Sequence, residues 1–187
     1  LQSCTRSMIC DNLENVELEY QPVQGSFINW YVTMDLVCVD PQAYNGVASY
    51  FFVGYLVGVI LFWMPDRLGR RATMSILLPN VLLSCACAIF GETMFIKSVG
   101  YFFLGFFHMK ISLSFTYALE LVPNKYKSTM TTIIAAGDAA SPLLSGFYFK
   151  FIELNTANVL KMHFITCLTG SILFAFFIPE SPRWLFL

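Results

Sequence analysis

The sequence predicts an all-α membrane protein, and its composition, its apolar windows and its basic loops all indicate this class. Hydrophobic residues make up 57% of the 187 residues, and charged residues only 12%. A soluble domain usually carries about 25% charged residues. A membrane-spanning helix needs roughly 20 apolar residues, so the length allows several spans. We expect about five transmembrane helices.

The chain divides into two parts of different composition. Residues 1–43 are polar and acidic, and we expect them to form a water-facing outer segment. Residues 44–187 are expected to form a helical bundle within the lipid bilayer. Five apolar windows of nearly the right length to cross as helices follow one another, near 44–64, 72–92, 99–121, 129–151 and 159–178.

Basic residues concentrate in alternate connections between these windows, which orients the chain. In a five-span arrangement the residues on one side are Arg67, Arg70, Arg71, Lys125, Lys127 and Arg183. Positive charge is retained on the cytoplasmic or matrix side of a membrane. We therefore expect the acidic segment outside and Leu187 inside.

The first basic connection has a specific order of residues. The stretch WMPDRLGRRATMSILLP, residues 63–79, places Asp66 directly before Arg67 and Gly69 at the turn, and it continues with Arg70 and Arg71. A topology signal needs only positive charge. The aspartate and the spacing therefore require a further explanation.

This stretch resembles the loop G x x x D R x G R R between the second and third helices of the major facilitator superfamily. Within that superfamily the most similar branch is the organic cation and organic anion transporters, which are relatives of the sugar porters. Three further stretches carry the resemblance in the same order: INWYVTMDLVC at 28–38, YALELVPNKYKS at 117–128 and PESPRWL at 179–185. The resemblance covers nearly the whole chain.

The resemblance implies a fold and a function. The five windows would be the second to sixth helices of a partial major facilitator N-terminal half, without the first helix and the C-terminal half. In complete members, inverted repeats enclose a site at the membrane midplane. The implied function is part of a secondary transporter for small organic ions or related metabolites, with the missing transporter half as a partner.

The resemblance also implies a gate, or latch, that holds one state of the transport cycle. Its residues would be Asp66, Arg67, Gly69, Arg70, Arg71, Glu120 and Arg183. The alternative is a topology signal combined with helix capping, and both readings stay open. Phe62 stands where the motif has glycine, and we expect its ring to obstruct close helix contact there. Gly54 and Gly58 keep close packing in the other half of that helix.

The fourth helix departs from the family pattern at Tyr101, which replaces an arginine, and at Lys110, which replaces a glycine. A lysine near midspan costs roughly 2.5 to 3.5 kcal/mol on insertion scales, so it needs a partner. We expect an ion pair with Asp138, either in the cavity wall or as structure alone, and His108 is expected to be a core residue. The expected cavity or intramembrane polar residues are Tyr101, Gly105, His108, Lys110, Ser112 and Asp138.

The remaining motifs exclude several classes of function. Cys4, Cys10 and Cys38 share the outer segment, so we expect one disulfide and one odd thiol, with the pairing open. The sequence has no zinc-site spacing, no phosphate-cradling glycine loop and no nucleophile elbow, so we expect no enzyme activity, no metal and no cofactor. It has no basic tract with interleaved aromatic residues, so we expect no nucleic-acid partner.

A second function class competes with transport. The departures from the family pattern are also typical of a transport-inactive descendant that serves as a structural subunit of a larger membrane complex. Its partners would then be other membrane subunits, and its location an organelle membrane such as the mitochondrial inner membrane. A carrier would instead reside in the plasma membrane.

Overall fold

The computed structural model describes Cys10 and residues 27–182. Within these residues the chain is almost entirely helical, and eight α-helices follow one another. They are α1 Trp30–Thr33, α2 Pro41–Gly58, α3 Met64–Leu68, α4 Arg70–Phe90, α5 Met94–Phe106, α6 Lys110–Leu121, α7 Lys127–Phe151 and α8 Thr156–Phe177. A 3-10 stretch, Val59–Trp63, joins α2 to α3, and a turn at 107–109 joins α5 to α6.

Four helical segments are long and apolar enough to cross a membrane, namely Tyr44–Leu68, Arg70–Phe90, Met94–Leu121 and Thr156–Phe177. Large apolar side chains cover their outer surfaces, and Leu56, Phe95 and Phe176 are each more than 70% exposed. Apolar surface on this scale is stable only against lipid or another protein. The protein is an integral membrane protein.

Helix α7 explains why four segments qualify where about five were expected. It has 25 residues, which is long enough to span, but it contains Asp138, Pro142 and many small or hydroxyl residues that lower its mean hydropathy. None of its residues is buried in the bundle. Its length is therefore that of a spanning helix, but its composition leaves it outside the four segments that qualify.

Helices α2 and α5 pack closely because glycines lie where their backbones meet. A Cβ atom at Gly54 or Gly58 would overlap the backbone of α5 at Phe102 or Phe106, and one at Gly105 would overlap the backbone of α2 at Phe51. Only glycine allows such an approach between helices. Phe62 lies in the 3-10 stretch and its side chain is exposed, so the expected obstruction by its ring stays a prediction.

The buried core lies among α4, α6 and α8. Its members are Met74, Leu77, Met109, Leu113, Tyr117 and Phe174. Leu77 is fully buried, and the rings of Tyr117 and Phe174 meet edge to face with centroids 6.0 Å apart. This core holds the three helices together near the helix ends that carry the charged residues described below.

The segment before α2 is fastened to the loop before α8. Asn29 caps α1 by accepting hydrogen bonds from the backbone N–H groups of Tyr31 and Val32. The backbone N–H of Ile28 donates to Leu154 O at 3.0 Å, and that of Thr156 donates to Ile28 O at 2.9 Å. The residues leading into α2 and those leading into α8 therefore lie at the same end of the bundle.

A disulfide joins Cys10 to Cys38 at this end. The sequence left open which two of the three cysteines in the outer segment would pair, and the structure selects these two. Cys4, the third candidate, lies outside the described residues. A disulfide is stable in an oxidising compartment, which is consistent with an outer location for this end.

Candidate functional site

The turn between α3 and α4 presents the charged residues of the 63–79 stretch. Gly69 has φ 93° and ψ 156°, a conformation that side chains rarely adopt, so glycine is required where the chain reverses. The Thr73 hydroxyl donates to Gly69 O at 2.8 Å and holds the turn against the first turn of α4. As a result α4 begins at Arg70, directly after the reversal.

Arg70 is the centre of the charged contacts. Its side chain is only 10% exposed, and its Nη1 lies 3.0 Å from Asp66 Oδ1 and also donates to Pro65 O at 2.8 Å. Its Nε lies 3.3 Å from Glu120 Oε2, and the Glu120 side chain is 8% exposed. The guanidinium fork thus joins the end of α3 to the end of α6, a geometry that suits arginine and not lysine.

The residues after α8 complete the arrangement. The backbone N–H of Arg71 donates to Glu180 Oε1 at 3.1 Å, and its guanidinium donates to Ala175 O at 3.3 Å. The Ser181 hydroxyl donates to Glu120 Oε2, and Ser181 is fully buried. We name the whole set the latch cluster; its members are Asp66, Arg70, Arg71, Glu120, Glu180 and Ser181.

The structure brings together four of the residues expected to form a gate and separates another from them. Asp66, Arg70, Arg71 and Glu120 share the latch cluster, and Gly69 shapes its turn. Arg67 is exposed and makes no ion pair with any residue that the structure describes. Arg183 lies outside the described residues.

Three residues of this region were not predicted from the sequence. Glu180 and Ser181 belong to the cluster, and the Tyr117 hydroxyl donates to Pro179 O beside it. All of them lie in the stretches YALELVPNKYKS and PESPRWL. The signal was therefore present in the resemblance, but only the packing of α6 against the end of α8 shows that these polar groups meet.

A cavity of about 500 Å³ lies among α4, α6, α7 and α8. Lys110 and Asp138 both line it, together with Ser114 and Ser171, while most of the remaining lining is apolar. The expected ion pair between Lys110 and Asp138 does not form among the described residues. Both side chains line the same cavity, and no ion pair closes the space between them.

The other expected cavity residues do not line this cavity. Gly105 is buried against the backbone of α2, and the His108 ring stands edge-on to Phe51 and Tyr55, with centroids 5.3 and 5.2 Å away. Tyr101 lines a separate small pocket at the other end of the bundle. Ser112 is exposed on α6. The turn at 107–109 interrupts the helix, so residues of α5 and α6 do not lie on one continuous helical face. Residue spacing in the sequence does not reveal this interruption.

No protein-family model matches the chain. Sequence comparison finds similar carriers among curated proteins. The chain is 28% identical over 167 residues to the steroid transmembrane transporter SLC22A24 of Homo sapiens, covering 87% of this chain and 30% of that protein. It is 32% identical over 158 residues to the solute carrier family 22 member 15-like protein of Xenopus tropicalis, covering 79% and 31%.

A third similar protein is an organic cation transporter. The chain is 26% identical over 168 residues to the organic cation transporter 1 of Caenorhabditis elegans, covering 86% of this chain and 28% of that protein. The chain thus spans less than a third of the length of these relatives. The matched region includes most of the described helices, because it covers more than three quarters of this chain.

Proposed function

Because this chain belongs by homology to the organic cation transporter-like solute carriers of family 22, in the major facilitator superfamily, we propose that it is part of a secondary transporter. Its cargo would be a small organic ion or a related metabolite. The plasma membrane is the proposed location. The remaining part of the carrier would be the main protein partner, since the chain spans less than a third of its relatives.

The observation that carries this proposal is the latch cluster. Alternating access requires helix ends at one face to be joined in one state and separated in the other. The cluster joins the ends of α3, α6 and α8 through polar contacts centred on Arg70. These contacts are few and directional, and each has its partners on different helix ends, so a movement of one helix end would break them.

The charge distribution supports a cytoplasmic position for the latch cluster. The cluster lies in the connection that carries Arg67, Arg70 and Arg71, and the next connection on the same side carries Lys125 and Lys127. Basic residues are retained on the cytoplasmic side. The Cys10–Cys38 disulfide at the other end suits the outer face.

The 500 Å³ cavity supports an organic ion as cargo. Its walls are mostly apolar, and they carry one cationic side chain, Lys110, and one anionic side chain, Asp138. Such a wall suits an amphipathic molecule that presents a hydrophobic body and a charged group. Two of the relatives are named for steroids and for organic cations, and these names guide the choice of test compounds.

A second candidate function is a transport-inactive structural subunit of a larger membrane complex. It is favoured by α7, none of whose residues is buried in the bundle. It is also favoured by Lys110 and Asp138, which line the cavity and form no ion pair with any residue that the structure describes. A helix with many small residues allows another helix to approach closely. Other membrane subunits would then cover α7, and an organelle membrane would be the location.

Uptake measurements on the product of the complete reading frame separate the two candidates. Cells that express it are tested with labelled tetraethylammonium and a labelled steroid sulfate. The carrier proposal expects uptake above vector cells for at least one compound. Glu120→Gln, which removes the charge facing Arg70, is expected to lower uptake about tenfold or more at equal surface amount.

The matched control is Glu92→Gln, because Glu92 is an exposed carboxylate outside the latch cluster. It is expected to leave uptake unchanged. If the wild-type protein transports neither compound and migrates with other membrane proteins on a native gel, the subunit function is correct and the carrier proposal is wrong.

A further inference from the structure

A small pocket lies at the end of the bundle opposite the latch cluster. Helix α4 starts at the latch cluster and ends near this pocket, while α5 and α8 start beside it. Its volume is about 70 Å³, and its lining includes Trp30, Thr33, Lys97, Tyr101 and Thr156. It is separate from the 500 Å³ cavity, with which it shares no lining residue.

Lys97 places a positive charge in this pocket, and the described residues accept only one hydrogen bond from its ammonium group. The residue is only 5% exposed, and its Nζ donates a hydrogen bond to Ala88 O at 3.1 Å. An ammonium group has three N–H donors. Among the described residues no carboxylate forms an ion pair with Lys97, and no aromatic ring lies over its charge. A buried charge in this situation is costly unless an opposite charge compensates it.

The other polar groups of the pocket add no negative charge, and the Thr33 hydroxyl already donates to Trp30 O. The Tyr101 hydroxyl has no hydrogen-bond partner in the part of the chain that the structure describes. The Thr156 hydroxyl donates to Ile28 O at 3.0 Å. Helix α8 begins at Thr156, so the positive end of its dipole faces the same space. No carboxylate occurs among the described residues that line the pocket.

We propose that this pocket binds a small inorganic anion of the halide type, held by the Lys97 ammonium and the Tyr101 hydroxyl. A volume of about 70 Å³ accommodates a few water molecules, so it suits a monatomic anion that keeps part of its hydration. It is too small for an organic cargo. The bound anion joins α4, α5 and α8 at their shared end, and it does not depend on the proposed transport.

The test uses the protein purified in detergent micelles, in gluconate buffer without halide and at constant ionic strength. Chloride is titrated while the thermal unfolding midpoint is recorded, and iodide is titrated while tryptophan fluorescence is recorded. The midpoint is expected to rise by a few degrees and to saturate, because the anion binds the folded state. Iodide is expected to quench a saturable fraction of the fluorescence, since Trp30 lines the pocket.

Variants assign both signals to the pocket. Lys97→Gln removes the charge and is expected to abolish both saturable effects, and Tyr101→Phe is expected to weaken the apparent affinity at least severalfold. Trp30→Phe is expected to remove the saturable part of the quenching and keep the rise of the midpoint. Lys161→Gln is the matched control, because Lys161 is exposed on α8, and it is expected to behave as the wild type.

Two results would overturn the proposal. One is a wild-type protein whose midpoint and fluorescence show no saturable halide dependence, which would mean that the ammonium is neutral or compensated from within the chain. The other is a halide dependence that persists in Lys97→Gln, which would place the anion elsewhere. If Lys97→Gln does not fold, Lys97→Arg keeps the charge and must retain the midpoint rise.

Discussion

Arg70 contacts two carboxylates of very different exposure, and these contacts should differ in energy. The Asp66 side chain is 74% exposed, whereas that of Glu120 is 8% exposed. An exposed ion pair contributes about 0 to 1 kcal/mol, because water screens it. Removal of one partner from a buried pair costs about 3 to 5 kcal/mol, because the other charge stays buried alone.

Alanine substitution of the two carboxylates tests this difference. Glu120→Ala is expected to lower the free energy of unfolding by about 3 to 5 kcal/mol. Asp66→Ala removes the same charge from the same arginine, and it is expected to change that free energy by less than about 1 kcal/mol. The measurement is thermal unfolding in detergent micelles. Equal losses in the two variants would show that burial does not set the strength of these contacts.

At the scale of the helix, the contact between α2 and α5 depends on glycine. Gly105 lies against the backbone of Phe51, so a methyl group has no space unless the helices move apart. Gly137 on α7 has no atom of another element within 4 Å of its ideal Cβ position. The same substitution should therefore have opposite consequences in the two helices.

Gly105→Ala is expected to destabilise the bundle by about 1 to 3 kcal/mol, the usual cost of overpacking. Gly137→Ala is the control, and it is expected to be neutral or to stabilise slightly, because alanine favours a helix more than glycine does. Thermal unfolding of this chain in micelles measures both. A destabilisation by Gly137→Ala as large as that by Gly105→Ala would mean that α7 is packed as closely as α2.

At the scale of the whole molecule, the course of α7 decides the number of membrane crossings. Its hydropathy is below that of the other spans, yet the loop after it is hydrogen-bonded to Ile28, which precedes α2. The start of α2 and the end of α7 thus lie at one end of the bundle. We therefore expect α7 to cross the membrane, which gives five crossings.

Cysteine labelling with a membrane-impermeant maleimide tests this topology. Single cysteines are introduced at the exposed positions Gln42, Asn124 and Glu153. With five crossings, the cysteines at Gln42 and Glu153 react from the outside and that at Asn124 only after permeabilisation. Labelling of Glu153→Cys together with Asn124→Cys would show that α7 does not cross.

Composition and motif order were sufficient to predict much of this protein. The apolar windows predicted a helical membrane bundle, because a span must be long, apolar and internally hydrogen-bonded. The order of DRLGRR and the later stretches predicted the relationship to organic cation transporter-like carriers, which the comparisons confirm. Short connections also keep Asp66, Arg70 and Arg71 at a helix end, so their proximity follows from the chain itself.

The tertiary structure decided which side chains meet across helices. Helical spacing tells which residues share a face, but it does not tell which neighbour covers that face. For this reason Lys110 and Asp138 were expected to form an ion pair because they lie at similar depth, although both line a cavity and form no pair. Gly105 was likewise expected to line a cavity, although the backbone of α2 covers it. For the same reason the contact between Ser181 and Glu120 appeared only once α6 and the end of α8 were packed together.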